Sequence, residues 1–157
     1  RRYQYRHWDR TDERDVEVVS GCYLLTTREV LEKVGTLDEA FFFFGEETDW
    51  CMRVRQAGYR CVLAPVGEIV HHGGGSVRKL NHKRDVMLTD ALVRLHRKQH
   101  GPFAAAAVWA ILLMFNASRC AGYAALSVAR RSGSARSRGT HFARVTRRML
   151  GLRVAGE

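Results

Sequence analysis

Hydrophobic positions form short β-like runs and helix-spaced stripes up to about residue 100, then merge into long apolar blocks. Arg1 to Asp15 is polar, with Tyr3, Tyr5 and Trp8 at no regular period, which predicts a loop or linker. Val16 to Leu25 is rich in β-branched and apolar residues and predicts a buried strand interrupted at Ser20–Gly21. The capping-box pattern Thr26-x-x-Glu29 precedes a helix over 27–34, with Val30, Leu31 and Val34 on one face and Gly35 as its stop. Four aromatics, Phe41 to Phe44, then run into Gly45, a residue that permits a sharp backbone bend. Beyond the bend, Cys51, Val54 and the Ala57–Gly58 end predict a short amphipathic helix with Glu46 and Glu47 in its first turn.

The pattern after Gly58 is again strand-like. Tyr59 to Ala64 predicts a strand ended by Pro65, and Glu68 to Val70 a second short one leading into His71-His72-Gly73-Gly74-Gly75-Ser76. From Lys83 to Gln99 the stripe Val86, Met87, Ala91, Leu92 and Leu95 predicts an amphipathic helix that Gly101-Pro102 stops. Phe103 to Phe115 and Cys120 to Ala129 are almost purely apolar. The first block falls short of the ~20 residues that a spanning helix needs. Joining the two would place Arg119 in hydrocarbon at roughly 2.5–3.5 kcal/mol, so helices lying on or dipping into a membrane are favoured over a clean span.

Composition bounds the class. At 157 residues with 46% hydrophobic and 27% charged positions, the chain suits one globular domain with a real core. A net charge of +10 and a pI near 10.1 imply an anionic partner: nucleic acid, acidic phospholipid or a phosphorylated substrate. Much of that charge follows the apolar blocks, in an Arg/Ser/Gly-rich end from Arg130 onward. Such a cluster suits an anionic leaflet or a cytoplasmic flank, and equally an RNA-gripping tail. Cys22, Cys51, Cys61 and Cys120 make no C-x-x-C pair, which disfavours a zinc knuckle and suits a reducing compartment. The opening lacks Met and a signal-peptide core, as expected for a piece of something longer.

The residues with candidate chemistry are few. Glu46 and Glu47 at a helix start would be held ionised by the backbone N–H groups, as a general base requires, although acids are also simply common at helix starts. Gly21 is either a point of close ligand approach or a bulge. His71 and His72 are either ligands to a metal or phosphate or surface histidines in a flexible turn. The three glycines after them expose N–H groups that can cradle an anion.

Taken in order, Val19–Leu25, Val34–Phe42, Gly45–Arg53, Ala57–Arg60 and Val70–Ser76 resemble the family 2 glycosyltransferases, and within them the bacterial rhamnosyltransferase-like branch that builds cell-surface polysaccharide. The resemblance covers about Val16 to His100. It implies an α/β fold class, the C-terminal half of a GT-A (Rossmann-like) glycosyltransferase domain, followed by apolar, membrane-associated helices. Residues 1–100 would be the acceptor-side half, 101–130 the apolar membrane-associated segment and 131–157 a basic Arg-rich tail. It further implies an inverting, metal-dependent transfer of a sugar, rhamnose included, from a nucleotide-sugar donor to a lipid-linked or glycan acceptor. The expected place is the cytoplasmic face of the bacterial inner membrane, with an anionic membrane surface as partner and no nucleic acid.

Carried over residue by residue, the resemblance makes Glu47 the base and Glu46 its neighbour that orients the acceptor or the loop. Many relatives have Asp at the position of Glu47, so this chain adds a methylene of reach. Gly21, Gly74 and Ser76 are expected near the substrate, Asp49 on a different face of the helix where it supports the loop beside the substrate, Trp50 as core packing or a wall of the acceptor pocket, and His71 as a ligand to Mg²⁺ or Mn²⁺. The family's first βαβ units and its Asp-x-Asp motif are not in this chain, so by itself it is expected to be inactive. The alternative from a different class is a basic, non-enzymatic module that binds RNA or acidic lipid through Arg1–Arg14 and the arginine-rich end.

Overall fold

The computed structural model describes residues 9, 11–42, 44–70 and 82–152. In chain order they form β1 (Arg14–Asp15), α1 (Arg28–Val34), α2 (Glu46–Gln56), β2 (Val62–Leu63), α3 (His82–Ala129) and α4 (Gly133–Met149). Two compact units result, one around the β1–β2 ladder with α1 and α2, the other around α3 and α4.

The first unit is held by a small apolar core of Val16, Val30, Trp50, Cys51, Val54 and Cys61, with Val18, Val19, Leu24 and Val34 packed around it. Helix α1 starts at Thr27, whose hydroxyl accepts from Val30 N, one residue after the Thr26 of the expected capping box. Its stop is the expected one: Gly35, at φ 82°, donates to Leu31 O. Leu31, expected on the buried face, is exposed, and Val30 carries that face instead. Helix α2 ends in a Schellman arrangement. Gly58 at φ 89° donates to Arg55 O while Tyr59 N reaches back to Val54 O.

The strands are much shorter than the β-branched runs predict. β1 and β2 pair antiparallel, Arg14 with Leu63 and Asp15 with Val62, and Val16 N adds one bond to Cys61 O. Val16 to Leu25 is therefore not a strand: past Val16 the chain meets no ladder partner, and 21–23 turn. Glu68 to Val70 likewise carries no strand pairing. A β-branched run supplies side chains that suit a sheet, but the strand exists only where a neighbour accepts its hydrogen bonds.

In the second unit α3 is broken at Gly101, whose φ of 85° and ψ of −179° are non-helical, with Pro102 next. The break divides it into arms 82–100 and 102–129. The first arm, grouped by sequence with the α/β portion, packs instead with the helices that follow it. The Arg-rich end, expected as a tail, is largely helical. Ser132 caps α4 by accepting from Ala135 N, and Ala135, Gly139, His141 and Val145 are its buried face. At Gly139 a β-carbon would lie 3.5 Å from Ala124 N, so the missing side chain lets α4 approach the second arm closely. Phe142 stacks on Tyr123 with ring centroids 5.7 Å apart, and His141 Nε2 lies 2.8 Å from Asp85 Oδ2 on the first arm.

Helix α3 is long and apolar enough to cross a membrane, judged by length and composition. Its neighbour opposes that. Helix α4 runs antiparallel to the second arm, from Gly139 beside Tyr123 to Met149, whose carbonyl accepts from Trp109 Nε1 at 3.4 Å. Arg136, Arg138, Arg144, Arg147 and Arg148 are exposed on it. A crossing by the second arm in this packing would carry them into hydrocarbon, at roughly 2.5–3.5 kcal/mol for each near the bilayer centre.

Candidate functional site

The start of α2 is a backbone corner. Phe44 and Gly45 both have positive φ, 68° and 89°, and the helix begins at the next residue, Glu46. A non-glycine residue in that region is strained, and the bend it helps to make puts Glu46 and Glu47 in the first helical turn with Asp49.

What fixes α2 is the side of it that turns inward. Asp49 is fully buried and accepts from Arg53 Nε at 2.8 Å. The same guanidinium donates to Val34 O at 2.7 Å and Thr36 O at 2.8 Å, and the indole N–H of Trp50 donates to Gly35 O at 2.8 Å. Carbonyls at the end of α1, which have no partner within that helix, are thus satisfied by α2 side chains. Asp49, expected to support the loop, and Trp50, expected as core packing or a pocket wall, here lock α2 to the 34–36 turn. Arg53 was not among the expected site residues, yet its i,i+4 spacing from Asp49 was a readable signal.

Glu46 and Glu47 are half-buried on the other side of the turn. One oxygen of each, Oε2, is shielded from solvent and has no hydrogen-bond partner among the described residues. Burial raises the Glu47 pKa above its ordinary value; a backbone hydrogen bond lowers it, and the adjacent Glu46 carboxylate raises it further. Gly21 belongs to this site. A β-carbon there would stand 3.8 Å from Glu47 Cβ, so the 20–23 turn lies against the glutamate. The turn is held from below by Val19 N, which donates to Cys51 Sγ at 3.5 Å.

The structure therefore brings Gly21, Glu46 and Glu47 together and turns Asp49 and Trp50 away from them. His71, Gly74 and Ser76 lie outside the described residues. Among the described residues no three His, Cys, Asp or Glu side chains are grouped as a metal site. An apolar cavity of about 480 Å³, lined by Leu24, Val30, Trp50, Val54, Tyr59 and Leu63 among others, does not include Glu46 or Glu47. The candidate site is the carboxylate corner, where two shielded carboxylate oxygens lie side by side at a helix start.

Comparison with known proteins gives a relationship at a coarse level and no residue assignment. Over 60 residues the chain is 38% identical to N-acetylglucosaminyl-diphospho-decaprenol L-rhamnosyltransferase of Mycobacterium tuberculosis, in both strain CDC 1551 / Oshkosh and strain ATCC 25618 / H37Rv. The match covers 38% of this chain and spans a fifth, 20%, of those relatives' length. It supports a relationship to glycosyltransferases. No family model matches the chain, and no solved structure matches it significantly.

Proposed function

We propose that this chain is the acceptor-side, base-bearing portion of an inverting glycosyltransferase, the C-terminal half of a GT-A domain. It would act in cell-surface glycan synthesis. The donor is a nucleotide-sugar held by a nucleotide-binding half, and the acceptor is a hydroxyl of a lipid-linked or glycan substrate. The name of the mycobacterial relatives supports rhamnose as the sugar and a polyprenyl diphosphate-linked acceptor. One observation carries the reading: a half-buried Glu47 whose shielded oxygen has no described partner and whose proton affinity is raised by burial.

The chemistry follows from that environment. An acceptor hydroxyl donates its hydrogen bond to the Glu47 carboxylate. As the hydroxyl oxygen forms its bond to the anomeric carbon, its proton passes to Glu47. The bond from that carbon to the diphosphate oxygen breaks, and the electron pair leaves with the nucleoside diphosphate. Attack from the opposite face inverts the configuration. A carboxylate with a raised pKa is the stronger base.

Mg²⁺ or Mn²⁺, with His71 as one ligand, belongs to the proposed intact enzyme on the strength of the family resemblance. The described residues do not assemble such a site, so every step above is written on Glu47, acceptor and donor. The reading locates the reaction at the cytoplasmic face of the bacterial inner membrane, and the unbridged thiols of Cys51 and Cys61 suit a reducing compartment. The test joins this chain to the preceding residues of the mycobacterial rhamnosyltransferase and follows labelled-sugar transfer. Glu47→Gln is expected to lower kcat by about 10²–10⁴-fold with the acceptor KM little changed. Transfer at the normal rate would remove Glu47 from the mechanism.

A further inference from the structure

The first arm of α3 ends in two histidines one helical turn apart. His96 and His100 stand at i and i+4, the spacing that sets two side chains on one face of a helix. Their ring centroids are 5.9 Å apart, with the planes tilted by 49°. His96 is half-buried and His100 exposed, and neither belongs to the compact unit that holds Glu46 and Glu47.

Three features set the pair apart from two polar residues on a helix surface. The first is a fixed tautomer. Nδ1 of His96 lies 2.8 Å from Leu92 O. A carbonyl only accepts, so in the neutral ring Nδ1 carries the proton and Nε2 keeps the lone pair. The same bond holds the ring in one orientation, as outer partners do for metal-bound imidazoles. The second is separation. At a Zn–N distance of ~2.1 Å, two imidazoles on one tetrahedral ion have centroids about 5.2 Å apart, so the pair must close by less than ~1 Å. A small rotation of the exposed His100 supplies that. The third is position. The arm stops at Gly101, whose backbone is non-helical, so both rings sit on its last turn, where the partial negative charge of a helix C-terminus favours a cation. Arg94 and Arg97 oppose a cation, but both are exposed and their repulsion is screened over about 8–10 Å.

We infer that His96 and His100 chelate a divalent transition-metal ion, Zn²⁺, Cu²⁺ or Ni²⁺, through Nε2 of His96 and a ring nitrogen of His100. Imidazole selects these ions over Mg²⁺ and Mn²⁺, which prefer oxygen ligands. No third His, Cys, Asp or Glu joins the pair among the described residues. Water therefore completes the coordination, and the ion exchanges with solvent. By bridging residues 96 and 100 the ion stiffens the turn that precedes the Gly101 break. The site is separate from the ion proposed with His71, and the inference stands independently of the transfer chemistry.

The full chain, stripped of metal with a chelator, is titrated with Zn²⁺ by calorimetry, and then with Cu²⁺, Ni²⁺ and Mg²⁺. His71 and His72 adjoin in sequence and could take an ion of their own, so the titration is repeated in His71→Ala/His72→Ala. That variant is expected to keep one equivalent of Zn²⁺, to bind Cu²⁺ more tightly, and to release neither ion to a large excess of Mg²⁺. In its background His100→Ala and His96→Gln should each lose more than about tenfold in affinity, since losing even an outer partner costs about 10–100-fold. Zn²⁺ at about 100 times its dissociation constant should slow hydrogen exchange of the 97–100 amides by up to about a hundredfold, and not in His100→Ala.

Loss of all Zn²⁺ binding in His71→Ala/His72→Ala would assign the ion to those residues and overturn the inference. Undiminished binding by His100→Ala and His96→Gln, displacement by Mg²⁺, or exchange at 97–100 that Zn²⁺ leaves unchanged would overturn it as well. A Zn²⁺-dependent dimer in light scattering would mean that the two rings serve different ions shared between copies, which refutes chelation within one turn.

Discussion

Replacing Arg53 by Met tests how the candidate site is held. The methionine keeps most of the side chain's apolar bulk and deletes the guanidinium that ties Asp49 to the 34–36 turn. Asp49 has no exposed surface and its partner only a little, with 20% of the Arg53 side chain reaching solvent. Removing one member of a buried pair costs about 3–5 kcal/mol, because the surviving charge keeps its desolvation penalty. The bonds to the Val34 and Thr36 carbonyls add to this, but the Thr36 bond is exposed and water can replace it. The partial exposure of Arg53 argues for the lower half of the range, about 3–4 kcal/mol. Since the two units need not unfold together, the loss is read locally, by hydrogen exchange of the α2 amides. Protection there should fall by about 2–3 decades, and Asp49→Asn in the Arg53→Met background should recover part of it. A change below about 0.5 kcal/mol in α2 would mean that Asp49 is not buried against Arg53, and the orientation of Glu47 derived from that lock would fail with it.

Other consequences follow from the same geometry. Because the folded-state pKa of Glu47 is raised, the native state binds more protons than the unfolded state between the ordinary carboxylate pKa and the raised value, so this residue's contribution to stability falls as pH rises through that window. In Glu47→Gln that decline should be missing from a urea titration repeated across acidic pH, with the first unit slightly more stable at pH 7; a wild-type decline left intact would place the titration on another group. Gly58→Ala should destabilise α2 by about 1 kcal/mol through backbone strain alone, as φ is 89° and nothing lies within 4 Å of the added methyl, whereas Gly67→Ala, with open space and no positive φ, should be neutral. Burial, reinforced by Cys51, pushes the Cys61 thiol up to about 11, so iodoacetamide at mildly alkaline pH should label the exposed Cys22 first and Cys61 only on unfolding.

How much of this was legible in the sequence depends on whether the signal was local. The stops at Gly35 and Gly58 and the break at Gly101-Pro102 were readable, since they rest on what one residue's backbone can adopt. So was the placing of Glu46 and Glu47 in a first helical turn after a bend at Gly45. The strands were not. The extent of β1 and β2 is set by pairing between residues nearly fifty apart, and the β-branched run from Val16 carries no information about where its partner ends. Helix α4 was hidden for a different reason. Its Arg, Ser and Gly content reads as a solvated tail, and the stripe Ala135, Gly139, Phe142, Val145 becomes a helical face only once Tyr123 and its neighbours are there to receive it. At the candidate site, the helical spacing already set Asp49 on a different face from Glu46 and Glu47, and Trp50 read as core packing. What the sequence did not show is that the Arg53 guanidinium ties Asp49 to the carbonyls of Val34 and Thr36.

The central claim is that Glu47 accepts the acceptor's proton, and the pH dependence of kcat/KM in the transfer-competent chimera tests it most directly. The account predicts an acidic limb with an apparent pKa above the usual glutamate value, lowered in Glu46→Gln, where a neighbouring charge that raises it is gone, and absent from the residual activity of Glu47→Gln. An acidic limb that persists unchanged in Glu47→Gln would contradict it and assign the base to another residue.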